Sequence, residues 1–412
     1  MTYGLLGEKL SHSFSPQIHH ALADYKYSLI EVAKEDIDDF MKNKPFKAIN
    51  VTIPYKQTVI PYLDHVDEAA LTIGAVNTIV NKDGVLYGYN TDYYGLISLI
   101  ERNGITVKGK KVLILGSGGT SKTAKVAALN MGAREIYRLS RTAKEDCITY
   151  EDAITNHSDA DIIINTTPSG MYPEIHNQAI DLKNFPNLSG VIDAIYNPLC
   201  PQLVVQAKNM NIPSSGGLYM LVAQAAKASE YFIGKAPREE DVEKVYKELL
   251  HDKENIVLIG MPSCGKTSVS EALEKMTGKT VIDTDSLIVE KTGMPITDIF
   301  AEYGEKHFRD LESEVIKDIS KMQGMIISTG GGAVLRKENV DQLRKNGRIV
   351  FLDRALEKLL ATDDRPLSSN RDDLTKRYNE RYDIYVSSAD IIINVPEGIE
   401  NTAKEVLEAW TK

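Results

Sequence analysis

Residues 110–120 read KKVLILGSGGT and residues 254–267 read ENIVLIGMPSCGKT; these are the strongest structural signals in the chain. Each begins with a short run of Val, Ile and Leu, which is typical of a parallel strand buried on both faces. Each run ends in a glycine-rich turn that can open a helix, the arrangement that binds phosphate at a helix N-terminus. Two such beginnings predict two nucleotide-binding α/β units in one chain.

The second turn, GMPSCGKT at 260–267, satisfies the P-loop pattern G-x-x-x-x-G-K-[ST] without a mismatch. In such a loop, backbone N–H groups surround a phosphate, the lysine reaches the β- and γ-phosphates, and the last hydroxyl is a ligand of Mg²⁺. The pattern predicts that ATP is bound by Gly260, Ser263, Cys264, Gly265, Lys266 and Thr267, with Thr267 also at the metal.

The first turn suits a dinucleotide, with glycines at 116, 118 and 119 and Ser121 at the usual third glycine or alanine. An NAD site usually has a carboxylate after the next strand, which we predict at 135–139. The chain has Ser140, Arg141 and Thr142 there. A guanidinium with two hydroxyls suits a 2′-phosphate, so the sequence favours NADP(H) over NAD. The alternative is a solvated arginine at a strand end.

Composition excludes several classes of protein. Of 412 residues, 42% are hydrophobic and 26% charged, which is ordinary for a soluble globular chain. A net charge of −10 argues against a nucleic-acid partner, and no apolar run is long enough to cross a membrane. The start lacks signal-peptide features, and three scattered cysteines form no disulfide framework, so we expect a cytoplasmic protein.

The first hundred residues contain polar side chains at predicted strand ends. Each alone could be a turn former, a helix cap or a solvated lysine. They are Ser13, Ser15, Asn50, Thr52, Lys56, Asn77 and residues 90–92.

In order along the chain, these residues and their neighbours resemble the shikimate dehydrogenases over residues 1 to about 250. The matching segments are HSFSP (12–16), NVTIPYK (50–56), GAVNT (74–78), NTD (90–92), LGSGGTSKTA (115–124), NTTPSGM (165–171), DAIYNP (193–198) and GGLYMLVAQAA (216–226). The resemblance implies that Lys56 and Asp92 are the catalytic pair. It implies that the substrate is held by Ser13, Ser15, Thr52, Asn77, Asp92, Tyr196 and Gln224. It also implies that NADP is held by Gly116, Gly118, Gly119, Ser140, Arg141 and Thr142.

Residues 255–412 resemble the shikimate kinases. The matching segments are DTD (283–285), IFAEYGEKHFRDLES (299–313), STGGGAV (328–334), DDRPL (363–367) and ERYDIYVSSAD (380–390). The resemblance implies that Asp283 lies near Mg²⁺ with Thr267. Shikimate would be bound by Asp285, Arg309, Gly330, Gly331, Gly332 and Arg381. Asp285, Lys266 and Arg365 would be catalytic, with Arg365 also contacting ATP.

Together these features predict an α/β chain with a substrate-binding α/β unit, a Rossmann-like NADP unit and a P-loop kinase domain with a parallel sheet. A charged helix at 236–255 sets the expected boundary, giving a dehydrogenase domain at 1–252 and a kinase domain at 253–412. Within the first domain, we expect the substrate-binding part at about 1–101 and 226–250, and the NADP-binding part at about 102–225.

The expected function is bifunctional: NADPH-dependent reduction of 3-dehydroshikimate to shikimate, followed by ATP-dependent phosphorylation to shikimate 3-phosphate. The partners would be small molecules only, and the oligomeric state stays open. One alternative is a quinate/shikimate-type dehydrogenase fused to a different small-molecule kinase. Another is that one half is a regulatory ligand-binding module.

Overall fold

The computed structural model describes residues 2–10, 14–144, 146–359 and 371–411. They form two compact units, Met1–Glu248 and Leu249–Lys412. Our domain limits of 1–252 and 253–412 stay a prediction. The strands are β1 (Thr2–Gly7), β2 (Tyr27–Glu31), β3 (Phe46–Val51), β4 (His65–Val66), β5 (Thr78–Lys82), β6 (Val85–Tyr89), β7 (Lys111–Leu115), β8 (Glu135–Ser140), β9 (Ile148–Thr149), β10 (Ile162–Asn165), β11 (Gly190–Asp193), β12 (Ser214–Ser215), β13 (Asn255–Ile259), β14 (Val281–Asp283), β15 (Ile326–Ser328), β16 (Gly347–Asp353) and β17 (Ile391–Asn394).

The α-helices lie between the strands along the chain and after the last of them. They are α1 (Ser15–Leu22), α2 (Ile37–Asn43), α3 (Glu68–Ile73), α4 (Thr91–Arg102), α5 (Gly119–Asn130), α6 (Tyr150–Asn156), α7 (Gln202–Asn209), α8 (Leu218–Ile233), α9 (Glu239–Lys253), α10 (Lys266–Thr277), α11 (Thr284–Thr292), α12 (Ile296–Ile319), α13 (Lys337–Leu343), α14 (Arg371–Ser388) and α15 (Ile399–Thr411). Gly304, with φ 78° and ψ 172°, breaks α12 into two helical stretches.

The first sheet has the order β2-β1-β3-β5-β6-β4 and mixes strand directions. β1 is parallel to β2 and β3, whereas β5 is antiparallel to β3 and β6. Asp83 and Gly84 join β5 to β6 with φ of 54° and 93°, the two positive values that a tight type I′ hairpin requires. This hairpin reverses the chain so that the end of β6 returns to the edge where β3 ends.

The second sheet has the order β12-β11-β10-β7-β8-β9, and all of its strands are parallel. Every residue of β7 and β10 is buried, as the apolar runs predict for strands with both faces covered. The strand order reverses between β7 and β10. Ligands of open α/β sheets bind beyond the carboxyl ends of the strands at such a point.

The third sheet lies in the second unit and has the order β14-β15-β13-β16-β17, again all parallel. β13 is central and entirely buried, and the P-loop follows it directly. The predicted α/β class, with a substrate-binding unit, a Rossmann-like unit and a P-loop domain with a parallel sheet, is confirmed. In the described ranges, no helix has the length and apolarity that a membrane crossing needs.

Candidate active sites

Three loops meet at one edge of the first sheet, and strand direction explains why. Lys56 lies beyond the carboxyl end of β3, and Asp92 lies beyond the carboxyl end of β6. Asn77 directly precedes β5, which runs antiparallel to both of those strands. The start of an antiparallel strand lies at the edge where its neighbours end. The sheet therefore gathers residues that are distant in sequence.

A cavity of about 220 Å³ lies at this edge. Helix α8 contributes to its wall because Gly95 of α4 lets the two helices approach closely; an added Cβ there would lie 2.6 Å from Met220 O. The cavity brings together the described residues of the predicted catalytic and substrate-binding set: Ser15, Thr52, Lys56, Asn77, Asp92, Tyr196 and Gln224. Ser13 lies outside the described residues.

Lys56 and Asp92 form an ion pair, with Lys56 Nζ donating to Asp92 Oδ2 at 2.6 Å. Asp92 is in the first turn of α4, whose N-cap Asn90 accepts a hydrogen bond from Tyr93 N. A helix N-terminus stabilises a carboxylate, so Asp92 is a suitable fixed anion. An ammonium has three N–H donors, and this contact therefore leaves donors for a ligand in the cavity.

A chain of buried and partly buried hydrogen bonds supports the cavity wall. Tyr27 OH donates to Asn50 Oδ1 at 2.8 Å, and Asn50 Nδ2 donates to Thr78 Oγ1 at 3.0 Å. Thr78 Oγ1 donates to Asn77 Oδ1 at 3.1 Å, and Thr91 N donates to the same oxygen at 2.7 Å. Asn77 is thereby fixed next to the start of α4, and its amide orientation follows from these donors.

His19 lines the same cavity and was not part of the predicted set. Its side chain is 1% exposed and stacks on the Tyr27 ring, with 4.0 Å between centroids. His19 Nδ1 lies 2.6 Å from Tyr25 OH. Burial lowers the pKa of His19 to about 3, against a smaller opposite effect of its hydrogen bond to Asn50. The imidazole is therefore neutral at physiological pH.

The glycine-rich turn after β7 leads directly into α5, as predicted. Gly116 has φ 114°, and an added Cβ would lie 2.9 Å from Thr166 Oγ1 at the end of β10. Gly118 and Gly119 have open space where a Cβ would project. None of the residues that the structure describes lies close enough to require glycine at these two positions, which suits a ligand that approaches the backbone.

The residues after β8 divide into two groups. The side chains of Arg141 and Thr142 are exposed, whereas Ser140 is buried and its hydroxyl donates to Thr142 O. Ser140 thus shapes its own turn, and its contact with the cofactor stays a prediction. Lys144, which the sequence analysis missed, donates to Ser117 Oγ at 3.1 Å within the glycine-rich turn.

The sequence analysis also missed Arg138, whose side chain stabilises the glycine-rich turn through hydrogen bonds. It is 4% exposed on β8, and its guanidinium donates to Ser117 O at 2.9 Å and to Ser121 Oγ at 2.9 Å. The guanidinium of Arg138 also forms an ion pair with Asp146. A charged residue at an interior position of the strand EIYRL was the available signal.

The P-loop has the geometry of a phosphate site. Gly260 and Gly265 have φ of 149° and 105°, and Ser263 also has a positive φ of 64°. Lys266 Nζ donates to Gly260 O at 2.9 Å and to Met261 O at 3.1 Å. Cys264 is 1% exposed, and its backbone N–H donates to Met261 O, so its contribution to ATP binding stays a prediction.

A cavity of about 530 Å³ lies beside the P-loop. It brings together these predicted residues: Ser263, Gly265, Lys266, Thr267, Asp283, Asp285, Arg309, Gly330, Gly331, Gly332 and Arg381. Arg365 lies outside the described residues. Asp283 caps α11 by accepting a hydrogen bond from Ser286 N at 3.0 Å, which places Asp285 in the first turn of that helix.

The three consecutive glycines are required by their neighbours. An added Cβ at Gly330 would lie 2.5 Å from Asp285 Oδ1, and one at Gly331 would lie 3.0 Å from Pro262 of the P-loop. An added Cβ at Gly332 would lie 2.1 Å from a guanidinium nitrogen of Arg309. The reason is therefore steric crowding at the cavity rather than backbone conformation, since none of the three has a positive φ.

Arg309 and Arg381 are the buried cations of this cavity, 8% and 6% exposed. Arg309 donates to Glu312 Oε2 at 2.8 Å, and Arg381 donates to Gly331 O at 3.1 Å. Glu312 was missed by the sequence analysis, although it lies one helical turn after Arg309. Burial raises the pKa of Glu312, and the charge of Arg309 partly offsets this. Among the described residues, Arg309 Nε and Glu312 Oε1 have no hydrogen-bond partner, which suits a polar ligand.

A second cavity of about 250 Å³ adjoins the other side of the P-loop. Cys264 and Gly265 line it together with Arg354, Pro396 and Gly398. Its lining combines apolar side chains with Arg354, Lys358 and Glu397, which suits the base and ribose of a nucleotide whose phosphates occupy the P-loop.

Comparison with known proteins identifies both units. The shikimate kinase family model matches residues 262–411, and the model of the shikimate dehydrogenase substrate binding domain matches residues 5–79. The NADP(+) shikimate dehydrogenase of Clostridium beijerinckii is 42% identical over 245 residues, covering 55% of this chain and 90% of the relative. That of Methanosphaera stadtmanae is 38% identical over 267 residues, covering 58% and 94%.

Solved structures agree with these relatives. A chorismate mutase/shikimate 5-dehydrogenase fusion protein from Clostridium acetobutylicum aligns with a TM-score of 0.57 and 33% identity, covering 60% of this chain and 96% of that one. The Thermus thermophilus shikimate 5-dehydrogenase, solved with NADP(H) and shikimate, aligns with a TM-score of 0.54 and 27% identity, covering 60% and 99%. The chain therefore belongs to the shikimate dehydrogenase family through its first unit and carries a shikimate kinase domain in its second.

Proposed function

We propose that this chain reduces 3-dehydroshikimate to shikimate with NADPH and then phosphorylates the 3-hydroxyl of shikimate with ATP. The observation that carries the proposal is that one chain contains two cavities, each lined by the groups that one of these reactions needs. The product of the first reaction is the substrate of the second. Because the two units belong to one chain, both enzymes are made in equal amounts.

In the first cavity, Lys56 is the proton donor. NADPH supplies hydride to the ketone carbon when it is bound, and negative charge develops on the ketone oxygen. The Lys56 ammonium stabilises that charge and transfers a proton to the oxygen, while Asp92 holds the ammonium at 2.6 Å and accepts a hydrogen bond from a ring hydroxyl. Ser13, Ser15, Thr52, Asn77, Tyr196 and Gln224 orient the polyhydroxy acid.

The preference for NADPH rests on exposed cations beside the glycine-rich turn. Arg141 follows β8, and Lys144 contacts Ser117 of the turn at 3.1 Å. Guanidinium and ammonium groups bind a 2′-phosphate, and the described turn offers no carboxylate for a free 2′-hydroxyl. The free N–H groups at the start of α5, together with Gly118 and Gly119, bind the pyrophosphate.

In the cavity of about 530 Å³ beside the P-loop, Arg309 and Arg381 bind the carboxylate of shikimate, and Asp285 accepts the proton of its 3-hydroxyl. Phosphoryl transfer depends on positioning and on neutralising the phosphate oxygens rather than on covalent catalysis. Lys266 supplies one positive charge from the P-loop. Arg365 is proposed to supply another.

Magnesium is the expected companion of ATP here, and the residues fit it. Thr267 and Asp283 line the same cavity and offer a hydroxyl and a carboxylate oxygen. Mg²⁺ usually keeps several waters and takes one or two protein oxygens plus phosphates. When bound, it neutralises charge on the β- and γ-phosphates. Thr267 and Asp283 would hold it, Asp283 through water or directly.

Two alternatives keep the fold. A dehydrogenase that uses quinate joined to a kinase for another polyol acid would differ in substrate preference. A regulatory module in place of one enzyme would bind ligand without turnover. The ion pair of Lys56 with Asp92 and the paired Arg309 favour two active sites.

A coupled assay on the full-length chain tests the proposal. The chain is given 3-dehydroshikimate, NADPH and Mg·ATP, while NADPH consumption and ADP formation are followed separately. We expect NADPH consumption first and ADP formation that depends on it. Replacing 3-dehydroshikimate with dehydroquinate, and shikimate with quinate, tests the first alternative.

Matched variants separate the two sites. Lys56→Met should lower the rate of NADPH consumption by about 10²–10⁴-fold and leave ADP formation from added shikimate intact. Lys266→Ala should impair ADP formation and leave NADPH consumption intact. ADP formation from shikimate without any 3-dehydroshikimate reduction in the unaltered chain would refute the bifunctional proposal and favour a regulatory first unit.

A further inference from the structure

Two buried polar side chains face each other at the end of the second sheet. Asn165 is the last residue of β10 and Asp193 the last residue of β11, and the two are direct partners in the strand register. They are 1% and 0% exposed. Asn165 Nδ2 donates to Asp193 Oδ2 at 2.9 Å. Burial raises the pKa of Asp193 to about 7, although the donors Asn165 and Ile195 favour its charged form. Neither residue lines the substrate cavity.

Asn165 determines the loop that follows β10. Its Oδ1 accepts hydrogen bonds from Thr167 N at 3.0 Å and from Thr167 Oγ1 at 2.8 Å. The neighbouring Thr166 donates to Leu115 O at 2.6 Å, and both threonines crowd Gly116. This loop is therefore the immediate neighbour of the glycine-rich turn on the cofactor side.

Asp193 determines the loop that follows β11. Its Oδ1 accepts a hydrogen bond from Ile195 N at 2.9 Å, one residue before Tyr196, which lines the substrate cavity. Ile195 O accepts a hydrogen bond from Gly217 N at 2.7 Å, and Gly217 lies so close that an added Cβ would be 2.2 Å from Ala194 O. The loop after β11 is thus fixed by Asp193 on one side and by Gly217 on the other.

We infer that Asn165 and Asp193 are a positioning pair for the dehydrogenase reaction, which sets the cofactor-side loop and the Tyr196 loop at a fixed distance from each other. This inference rests on the proposed function of the first unit. Hydride transfer needs the donor and acceptor carbons in a near-attack arrangement, and a displacement of about 1 Å can cost about 10²-fold in rate. Each loop can still bind its own ligand when the pair is broken, so the effect falls on kcat rather than on KM.

The donor and acceptor pattern of the pair provides a sharp test. In Asp193→Asn, the new amide N–H₂ faces another donor, either Asn165 Nδ2 or Ile195 N, so one hydrogen bond is lost. In Asn165→Asp, two carboxylates face each other and the hydrogen bond between the strands is lost. The double variant, Asn165→Asp with Asp193→Asn, exchanges the two side chains and restores every hydrogen bond. The amide at position 193 then donates across the strands to the carboxylate at position 165, and oxygen acceptors remain for Ile195 N and Thr167 N. Side-chain volume is nearly constant throughout.

The experiment measures steady-state 3-dehydroshikimate reduction by the full-length chain, with stereospecifically deuterated NADPH to report the hydride step. Each single variant should lose about 10²-fold in kcat, with KM values within about threefold of the unaltered chain and a larger isotope effect. The double variant should recover at least about tenfold over either single variant. Shikimate phosphorylation by the same preparations should be unchanged.

Single variants that bind NADPH and turn over normally would overturn the inference, as would a folded double variant no better than the singles. Single variants that no longer bind NADPH would also overturn the inference, because it leaves the ligand-binding capacity of each loop intact. An unaltered chain that does not reduce 3-dehydroshikimate overturns the proposed function and this inference together, whereas an active chain with active single variants overturns the pair alone.

Discussion

Replacing Gly332 with alanine should disable shikimate binding in the second unit with little effect on ATP. The new Cβ would lie 2.1, 2.2 and 2.3 Å from three atoms of the Arg309 guanidinium, whereas ordinary contact needs at least 3.4 Å. The guanidinium must therefore move by more than about 1 Å. The backbone is not strained, because Gly332 has φ −112°.

The size of the effect follows from what holds Arg309. Its guanidinium is bound to the fully buried Glu312 at 2.8 Å and to Glu305 at 3.2 Å, so it has little freedom to move away. A displacement of about 1 Å in a substrate clamp costs about 10²-fold, or about 2.7 kcal/mol. We expect kcat/KM for shikimate to fall about 10²-fold in Gly332→Ala, mainly through KM.

The assay is shikimate-dependent ADP formation, with the KM of ATP measured at saturating shikimate. NADPH-dependent reduction by the same protein is an internal control for folding. An unchanged shikimate KM would refute the steric reasoning. An equal loss of nucleotide binding would refute the separation of the acceptor clamp from the P-loop.

Three further outcomes are expected. Lys56→Met should lower the rate of 3-dehydroshikimate reduction by about 10²–10⁴-fold, measured as NADPH consumption, and near-normal turnover would exclude its role as proton donor. Arg141→Ala and Lys144→Ala should each raise the KM of NADPH by about 10- to 10²-fold and leave that of NADH unchanged, since a charged hydrogen bond contributes about 1.5–3 kcal/mol; equal losses would contradict a 2′-phosphate site. Because the folded-state pKa of His19 is lowered to about 3 from 6.5, the unfolded chain binds a proton first on acidification, and stability falls below pH 6.5. The loss is about 2 kcal/mol by pH 5, measurable by urea unfolding followed through tyrosine circular dichroism; a folded His19→Phe protein with the same pH slope would contradict it.

The sequence predicts the fold class well because its signals are local. The runs before Gly116 and Gly260 specify buried strands, and the turns after them require special backbone angles that glycine supplies. The eight ordered segments of the first half identify the residues that line its cavity, since they specify residue types at many positions at once. The geometry then follows from the β5–β6 hairpin, which returns Asp92 to Lys56.

The residues missed by the sequence analysis depend on contacts that are distant in sequence or on burial. Glu312 matters because it is fully buried beside Arg309, and Arg138 because it reaches back to the turn before α5. Ser140 is predicted from the sequence to contact the cofactor, whereas the hydrogen bond from its hydroxyl to Thr142 O within the same turn could not be read from the sequence. A linear pattern reports which residue types are present, but side-chain direction is decided by neighbours that the pattern does not name.

The crowding around residues 330–332 has a consequence for natural variation and for engineering. Each of the three positions faces a different group: the acidic pair at Asp285 and Glu312, the P-loop proline, and the Arg309 guanidinium. No single side chain can therefore be introduced in this segment without disturbing one partner. A pocket for a larger acid would have to be obtained by shortening other side chains that line the cavity, such as Phe300 or Ile296, while the glycine segment stays unchanged.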